Sequence, residues 1–179
     1  MRKLGISFVA LALALTGCTA TTDAETTTSP KPTPTAVTVE EPATATVQQV
    51  ASVIAAHDAD FRETDEAAWD CRSAFIDAET DPIAELDATS CFANRVTSTM
   101  WAQITIRDLA ALEVPAELVP LVNETVAMME LLAELDLSVC GEQFDVPDLG
   151  DEECNGAITS SEVYLGSIVG TLDKWRPYL

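Results

Sequence analysis

Apolar residues after position 46 recur at steps of three and four, the spacing that is typical of amphipathic helices. A first helix is predicted on the stripe that contains Val47, Val50, Ile54 and Phe61. A second, short helix is expected to open at Thr64, because threonine caps helices and acids follow it. That helix carries Trp69, Cys71 and Phe75.

The longest apolar pattern begins at Asp81-Pro82, a start signal because proline is tolerated at the first helical position. Its apolar positions are Cys91, Phe92, Val96, Met100, Ile104 and Leu112. Val114-Pro115 breaks the pattern, and Pro120 must lie in the first turns of the next helix or divide it.

Two more amphipathic patterns complete the chain. One contains Leu121, Val122, Val126, Met129, Leu132 and Leu135, and Gly141 is predicted to end its helix. The other contains Ile158, Leu165, Ile168, Leu172 and Trp175. No alternating segment has the length of a strand. The predicted fold is all-α, an antiparallel helical bundle of four main helices plus one short helix.

The first 17 residues have the composition of a cleaved signal peptide, with Arg2 and Lys3 before an apolar run at 4–15 that is too short to span a bilayer. The run closes with Leu15-Thr16-Gly17-Cys18, which resembles the lipobox of bacterial lipoproteins. In that family a diacylglyceryl group is attached to the cysteine, and the chain is cut just before it. The resemblance implies lipidation at Cys18; the alternative is an ordinary secretory signal with a chance cysteine.

Residues 18–46 are rich in threonine, alanine, proline and acids, with hardly a large apolar side chain. Such a segment cannot bury enough surface to offset the entropy of ordering it. We predict a disordered tether, with a root-mean-square reach of about 30 Å as a flexible coil. Threonines beside prolines are also typical of O-glycosylated segments. Residues 47–179 are predicted to form one helical domain.

The cysteines other than Cys18 are Cys71, Cys91, Cys140 and Cys154, an even number in a chain with an export signal. An even number argues for two disulfides. Three pairings are possible. We favour Cys71 with Cys91 and Cys140 with Cys154, because each pair would connect neighbouring helices across a loop. A four-cysteine zinc site is the alternative, but no Cys-x-x-Cys pair supplies the usual ligand spacing.

The sequence is strongly acidic, with 30 Asp and Glu against 9 Lys and Arg. Loss of Arg2 and Lys3 with the signal leaves 30 acids against 7 bases, a formal charge of −23. This balance excludes nucleic acid as a partner, because no basic stripe could neutralise phosphates. The simplest interpretation is a solvated surface.

An acidic loop at 142–153 contains Asp145, Asp148, Asp151, Glu152 and Glu153. Their oxygens are ligands that calcium accepts, but the loop lacks EF-hand spacing, and acids before a helix also favour its N-terminal dipole. We therefore predict capping and solvation, and no metal site or cofactor.

Other features lack the context of a catalytic site. His57 is the only histidine, and no nucleophile, phosphate-loop or dinucleotide motif is present, so no enzyme is predicted. Met100, Met128 and Met129 at helical spacing are expected to fill the core. Gly166 and Gly170 have the spacing of closely packed helices, and we expect such packing inside the bundle.

A wider resemblance rests on the lipobox, the tether, the four spaced cysteines, the segment PAELVPLVNET at 115–125 and the closing WRPY at 175–178. Together they look like small secreted lipoproteins of high-GC Gram-positive bacteria. That group has no agreed activity, so the resemblance implies location and fold class but no catalytic residues.

Two classes of function follow. The favoured one is a non-enzymatic module at the extracytoplasmic face of the cell membrane, held by the lipid anchor at Cys18, that binds another envelope protein or acts as a scaffold. The alternative is a lipoprotein that binds a small ligand or metal, in a cavity between helices or in the loop at 142–153. A pocket with convergent polar groups would favour the second class, and an exposed apolar patch the first.

Overall fold

Helices account for most of residues 44–179, the part of the chain that the computed structural model describes. They are α1 (Val47–Ala55), α2 (Asp58–Glu66), α3 (Ala68–Asp77), α4 (Pro82–Ala110), α5 (Val119–Ala133) and α6 (Glu152–Leu172). Single 3-10 turns follow at Ser138–Cys140 and Asp173–Trp175. No strand occurs among these residues, and the all-α bundle is confirmed. The predicted signal peptide, Cys18 and the tether up to residue 43 lie outside the described residues.

Helix α4 begins where the sequence predicts. The Asp81 side chain accepts a hydrogen bond of 2.9 Å from the Ile83 amide, and Pro82 lies in the first turn. Helix α6 also begins with an aspartate N-cap, because the Asp151 side chain accepts a hydrogen bond from the Cys154 amide at 2.9 Å. Pro120 lies in the first turn of α5, as one of the two expected placements requires.

The single first helix predicted through Phe61 is wrong in the structure, which divides it into α1 and α2. His57 leaves the helical conformation, with φ −131° and ψ 8°, and Asp58 and Asp60 then occupy the first turn of α2. Acids in a first turn favour a helix start, so a break here is stabilised by the helix dipole. Phe61 still reaches the core.

The predicted cap at Thr64 is also wrong. Thr64 lies inside α2, where its hydroxyl donates to the Asp60 carbonyl at 2.9 Å, and α3 begins at Ala68 without a side-chain cap. A threonine hydroxyl can bond the carbonyl four residues back, so it does not need to open a helix. α3 carries Trp69, Cys71 and Phe75 as expected of the short helix, but Trp69 is 78% exposed while Cys71 and Phe75 are buried.

Helix α5 buries Val122, Met129 and Leu132 as predicted, but ends at Ala133 rather than at Gly141. Gly141 ends the 3-10 turn instead, with φ 110°. A Cβ at this position would also come within 2.7 Å of Asp145 Oδ2, so both conformation and space require glycine.

Two apolar clusters make up the core. The larger joins α1 and α2 to α5 and the second halves of α4 and α6, and includes Phe61, Leu109, Leu165 and Trp175. The smaller joins α3 to the first halves of α4 and α6, with Phe75, Phe92 and Ile158 as its large side chains. Between them on α4 and α6 lie the buried polar residues Arg95, Ser98 and Ser161, which we call the polar layer.

Both predicted disulfides are confirmed, and both belong to the smaller cluster. Cys71–Cys91 joins α3 to α4 with a Cα separation of 5.5 Å, and Cys140–Cys154 joins the two ends of the acidic loop at 4.7 Å. Few large apolar side chains fill this half of the core, so the covalent links supply stability that packing alone would not.

No helix within residues 44–179 combines the length and the apolar character needed to cross a membrane.

Candidate functional site

An open groove of about 670 Å³ lies between the end of α3, the start of α4 and the loop before α6. Phe75, Ala78, Val146 and Leu149 line it with apolar atoms, and the same residues belong to or pack against the smaller core cluster. Three carboxylates also line it, those of Glu79, Glu85 and Asp148. The groove is therefore an apolar depression with an acidic rim.

Large apolar side chains are exposed at the same end of the bundle. Ile76 lines the groove and is 65% exposed, while Ile83 and Leu86 on the first turns of α4 are 72% and 68% exposed. Ile83 and Leu86 are three residues apart, so they share the outward face of that helix. We call the groove together with Ile76, Ile83 and Leu86 the distal surface.

The distal surface lies far from the point where the tether would join. Thr44 donates to Glu113 Oε1 at 3.3 Å and the Ala45 amide donates to the Glu113 carbonyl at 2.8 Å, just beyond the C-terminal end of α4. The groove adjoins the N-terminal end of the same helix. Helix α4 has 29 residues. At 1.5 Å per residue these two ends are about 43 Å apart.

No cation neutralises the rim of the groove within the described part of the chain. Its basic residues are Arg62, Arg72, Arg95, Arg107, Lys174 and Arg176. Each of them pairs with a carboxylate elsewhere, so Glu79, Glu85 and Asp148 face solvent without an ionic partner. The distal surface consequently combines exposed apolar side chains with uncompensated negative charge.

The carboxylates of the acidic loop serve its own turns. Asp145 accepts from the Glu142 amide at 2.7 Å, and Asp148 accepts from the Gly150 amide at 2.8 Å. These bonds stabilise turns inside the loop, and the Asp151 side chain caps the start of α6. Among residues 44–179, no group of three or more acidic, cysteine or histidine side chains has the arrangement of a metal site.

Arg95 is a buried, ion-paired residue whose burial the sequence pattern does not reveal. Its side chain is 1% exposed, with Nη1 donating to Ser161 Oγ at 2.8 Å and Nη2 to Glu162 Oε1 at 3.1 Å. Arg72 reaches the other oxygen of Glu162 at 3.3 Å. Burial lowers the pKa of Arg95, and the charge of Glu162 opposes that shift. The one indication of its burial in the sequence is its position three residues after Phe92, on the apolar stripe of α4.

Asp65 lies close enough to the polar layer to be affected by it. Burial raises the pKa of the Asp65 carboxyl, Glu66 raises it further, and the positive charge of Arg95 acts in the opposite direction. A Cβ at Gly166 would lie 3.5 Å from Asp65 Oδ1, which is ordinary contact between α6 and α2. At Gly170 such an atom would meet nothing within 4 Å, so the expected close packing is absent there.

The remaining candidates from the sequence are dispersed. His57 is half-buried, 5.8 Å from the Trp101 ring and 3.2 Å from Asp60, at the end of the bundle away from the groove. Met129 fills the core as expected and Met128 packs against it, whereas Met100 is 51% exposed.

Comparisons with protein-family models, with curated proteins and with solved structures found no match to this chain.

Proposed function

We propose that this protein is a lipoprotein anchored through Cys18 at the outer face of a bacterial cell membrane, and that its helical bundle binds another envelope protein without catalysing a reaction. The distal surface is the observation that carries the proposal. Ile76 is exposed and lines the groove beside three carboxylates, and an exposed apolar patch with polar residues around it is typical of interaction sites.

The position of the distal surface supports a binding role at a membrane. The tether would join the bundle near Glu113, at the other end of α4, so the anchor would leave the groove accessible. Two acyl chains on Cys18 would hold the protein stably, whereas a single chain gives only marginal attachment. Two disulfides suit an oxidising compartment outside the cytoplasm.

The polar groups of the groove support binding rather than catalysis. They are carboxylates, and the only histidine, His57, lies just before α2, away from the groove. Nucleophilic catalysis of the serine or cysteine type needs a nucleophile, a base and an orienting group within hydrogen-bond reach of one another, and the groove is lined by no serine, cysteine or histidine.

Photo-crosslinking in the producing cells tests this proposal. A photoreactive amino acid replaces Ile83 in the full-length chain, and a matched variant carries it at Met100, which is also exposed but lies in the middle of α4. We expect a discrete adduct with one envelope protein from position 83 and none from position 100. No adduct from position 83, or equal adducts from both positions, would reject the proposal.

A small apolar ligand is the second candidate, favoured by the groove volume of about 670 Å³, which lies in the range of small-molecule sites. Such a ligand would give no protein adduct from position 83. It would instead increase the melting temperature of the purified protein in proportion to the logarithm of its concentration once the site is saturated.

A further inference from the structure

We infer that the distal surface receives a cationic amphipathic segment of the partner protein, whose apolar side chains enter the groove while its lysines and arginines meet Glu79, Glu85 and Asp148. This inference rests on the proposed function and specifies the chemistry of the partner.

The wall of the groove offers an apolar contact to a partner. Phe75 and Ala78 form part of its wall and are nearly covered by the core, whereas Ile76 beside them is 65% exposed. An apolar side chain placed here would bury the Ile76 side chain without displacing any core residue. Removing these apolar atoms from water would favour binding.

The rim of the groove offers an ionic contact to a partner. All the basic residues of 44–179 are already paired with carboxylates outside the groove, so the rim carboxylates have no ionic partner to release. An incoming cation would therefore gain an interaction without breaking one. Exposed pairs contribute little affinity individually, but a field of one sign speeds the encounter and rejects partners of like charge.

The same charge disfavours other occupants. The described residues contain 26 acids and 6 bases, a formal charge of −20. A second copy of this chain would bring the same negative rim to the groove, and an anionic lipid surface would repel it as well. A cationic segment of a different protein is the occupant that both the apolar wall and the charge accept.

Fluorescence anisotropy with synthetic peptides tests the inference. The protein is the full mature chain, residues 18–179, with Cys18→Ser in every sample so that no acyl chain contributes. The probe is a labelled helical peptide with leucine on one face and lysine on the other. Two comparison peptides have the same leucine and lysine content in scrambled order, or glutamate in place of lysine.

Matched variants separate the groove from diffuse attraction. Ile76→Ser removes the exposed apolar contact, and Met100→Ser is its control. Glu79→Gln with Glu85→Gln removes two rim charges, and Glu130→Gln with Glu134→Gln removes two charges on α5 and just after it. All six positions are exposed, so the fold should be retained, and circular dichroism melting of each variant checks this.

We expect the leucine–lysine peptide to bind at least tenfold more tightly than either comparison peptide. Ile76→Ser should weaken binding about tenfold, equivalent to about 1.4 kcal/mol, and the rim pair severalfold, while both controls change affinity less than twofold. The inference would be overturned if the scrambled peptide bound as tightly as the leucine–lysine peptide, or if the control variants lost as much affinity as the groove variants. It would also be overturned if the protein sedimented as a dimer in which the groove residues were protected from chemical labelling.

The failure of this inference and that of the proposed function are distinguishable. If position 83 crosslinks in cells to a protein without a basic amphipathic segment, the binding function stands and the inference is rejected. If position 83 gives no adduct at all, the binding function itself is rejected.

Discussion

At the scale of residues, Arg95 and Glu162 show how a charge is retained inside a small bundle. The arginine is buried with one nitrogen, Nε, unpartnered, while Glu162 is partly exposed and shared with Arg72. Replacing a buried ion pair by apolar groups is often neutral, whereas removing one partner leaves a buried charge uncompensated. The two residues should therefore respond differently to substitution.

Arg95→Met should change the free energy of unfolding by less than about 1 kcal/mol, because Ser161 can still donate to the Ile158 carbonyl and Glu162 keeps Arg72. Glu162→Ala should cost about 3 kcal/mol, because it leaves Arg95 buried without its carboxylate. Urea unfolding of both variants and the parent measures the difference. A larger loss for Arg95→Met than for Glu162→Ala would contradict this explanation.

Asp65 gives a pH-dependent prediction at the same scale. Its pKa is raised in the folded state, chiefly by burial, so the folded protein holds this proton more tightly than the unfolded chain does. The protonated Asp65 side chain therefore adds to the free energy of unfolding at low pH, and this contribution is lost as the pH rises through the folded-state pKa. Asp65→Asn should therefore raise the melting temperature at pH 7.

The gain from Asp65→Asn should shrink as the pH falls and disappear below the ordinary carboxyl pKa of 3.8, where both states are protonated. Melting curves from pH 3 to pH 8 check this, with Glu130→Gln as an exposed control. A melting temperature lowered by Asp65→Asn at pH 7 would show that the attraction to Arg95 outweighs burial.

At the scale of elements, the two halves of the core differ in what holds them together. The half around α3 and the start of α4 has few large apolar residues and both disulfides. In the chain-entropy model, bridges that close loops of this length contribute about 3 kcal/mol each. The half with α1, α2 and α5 depends on packing around Phe61, Leu165 and Trp175.

Reduction of both disulfides should increase amide hydrogen exchange most in α3, the first half of α4 and the start of α6. Exchange in α1 and α5 should rise least, because no bridge reaches them and foldons open separately. Mass spectrometry of reduced and oxidised protein under the same conditions measures the pattern. Equal loss of protection in α1 and α3 would contradict a division of the core into two halves.

Local signals predict only some of these elements. Asp81-Pro82 correctly predicts the start of α4, and Pro120 takes one of the two placements that the sequence allows, because a cap and a proline act within one helical turn. The break at His57 was missed because the apolar stripe continues across it into Phe61. Arg95 was missed because a charged side chain on an apolar stripe is buried only if a partner, here Glu162, arrives from a distant helix.

The distal surface could not be predicted either. Ile83 and Leu86 have the spacing of a core stripe, yet α3 packs against α4 without covering them, and they remain 72% and 68% exposed. The disulfides were predictable, because neighbouring helices bring consecutive cysteines together.

At the scale of the whole molecule, strong negative charge, with no metal-site cluster among residues 44–179, predicts a weak and unselective response to divalent cations. Calcium and magnesium at equal concentration should raise the melting temperature by nearly equal amounts through screening. Asp145→Asn with Asp148→Asn should leave that equality unchanged, because these side chains accept bonds within their own turns. A calcium-selective shift lost in the double variant would instead establish a calcium site in the acidic loop.

One experiment tests both anchoring through Cys18 and binding through the distal surface. It crosslinks from position 83 in cells that are then fractionated, and it compares the parent chain with the Cys18→Ala variant. We predict that the chain with Cys18 stays in the membrane fraction until detergent is added and gives an adduct, whereas Cys18→Ala is released or left unprocessed and loses most of that adduct. Release of the Cys18 protein without detergent, or no adduct from position 83 at the membrane, would contradict a membrane-held binding module.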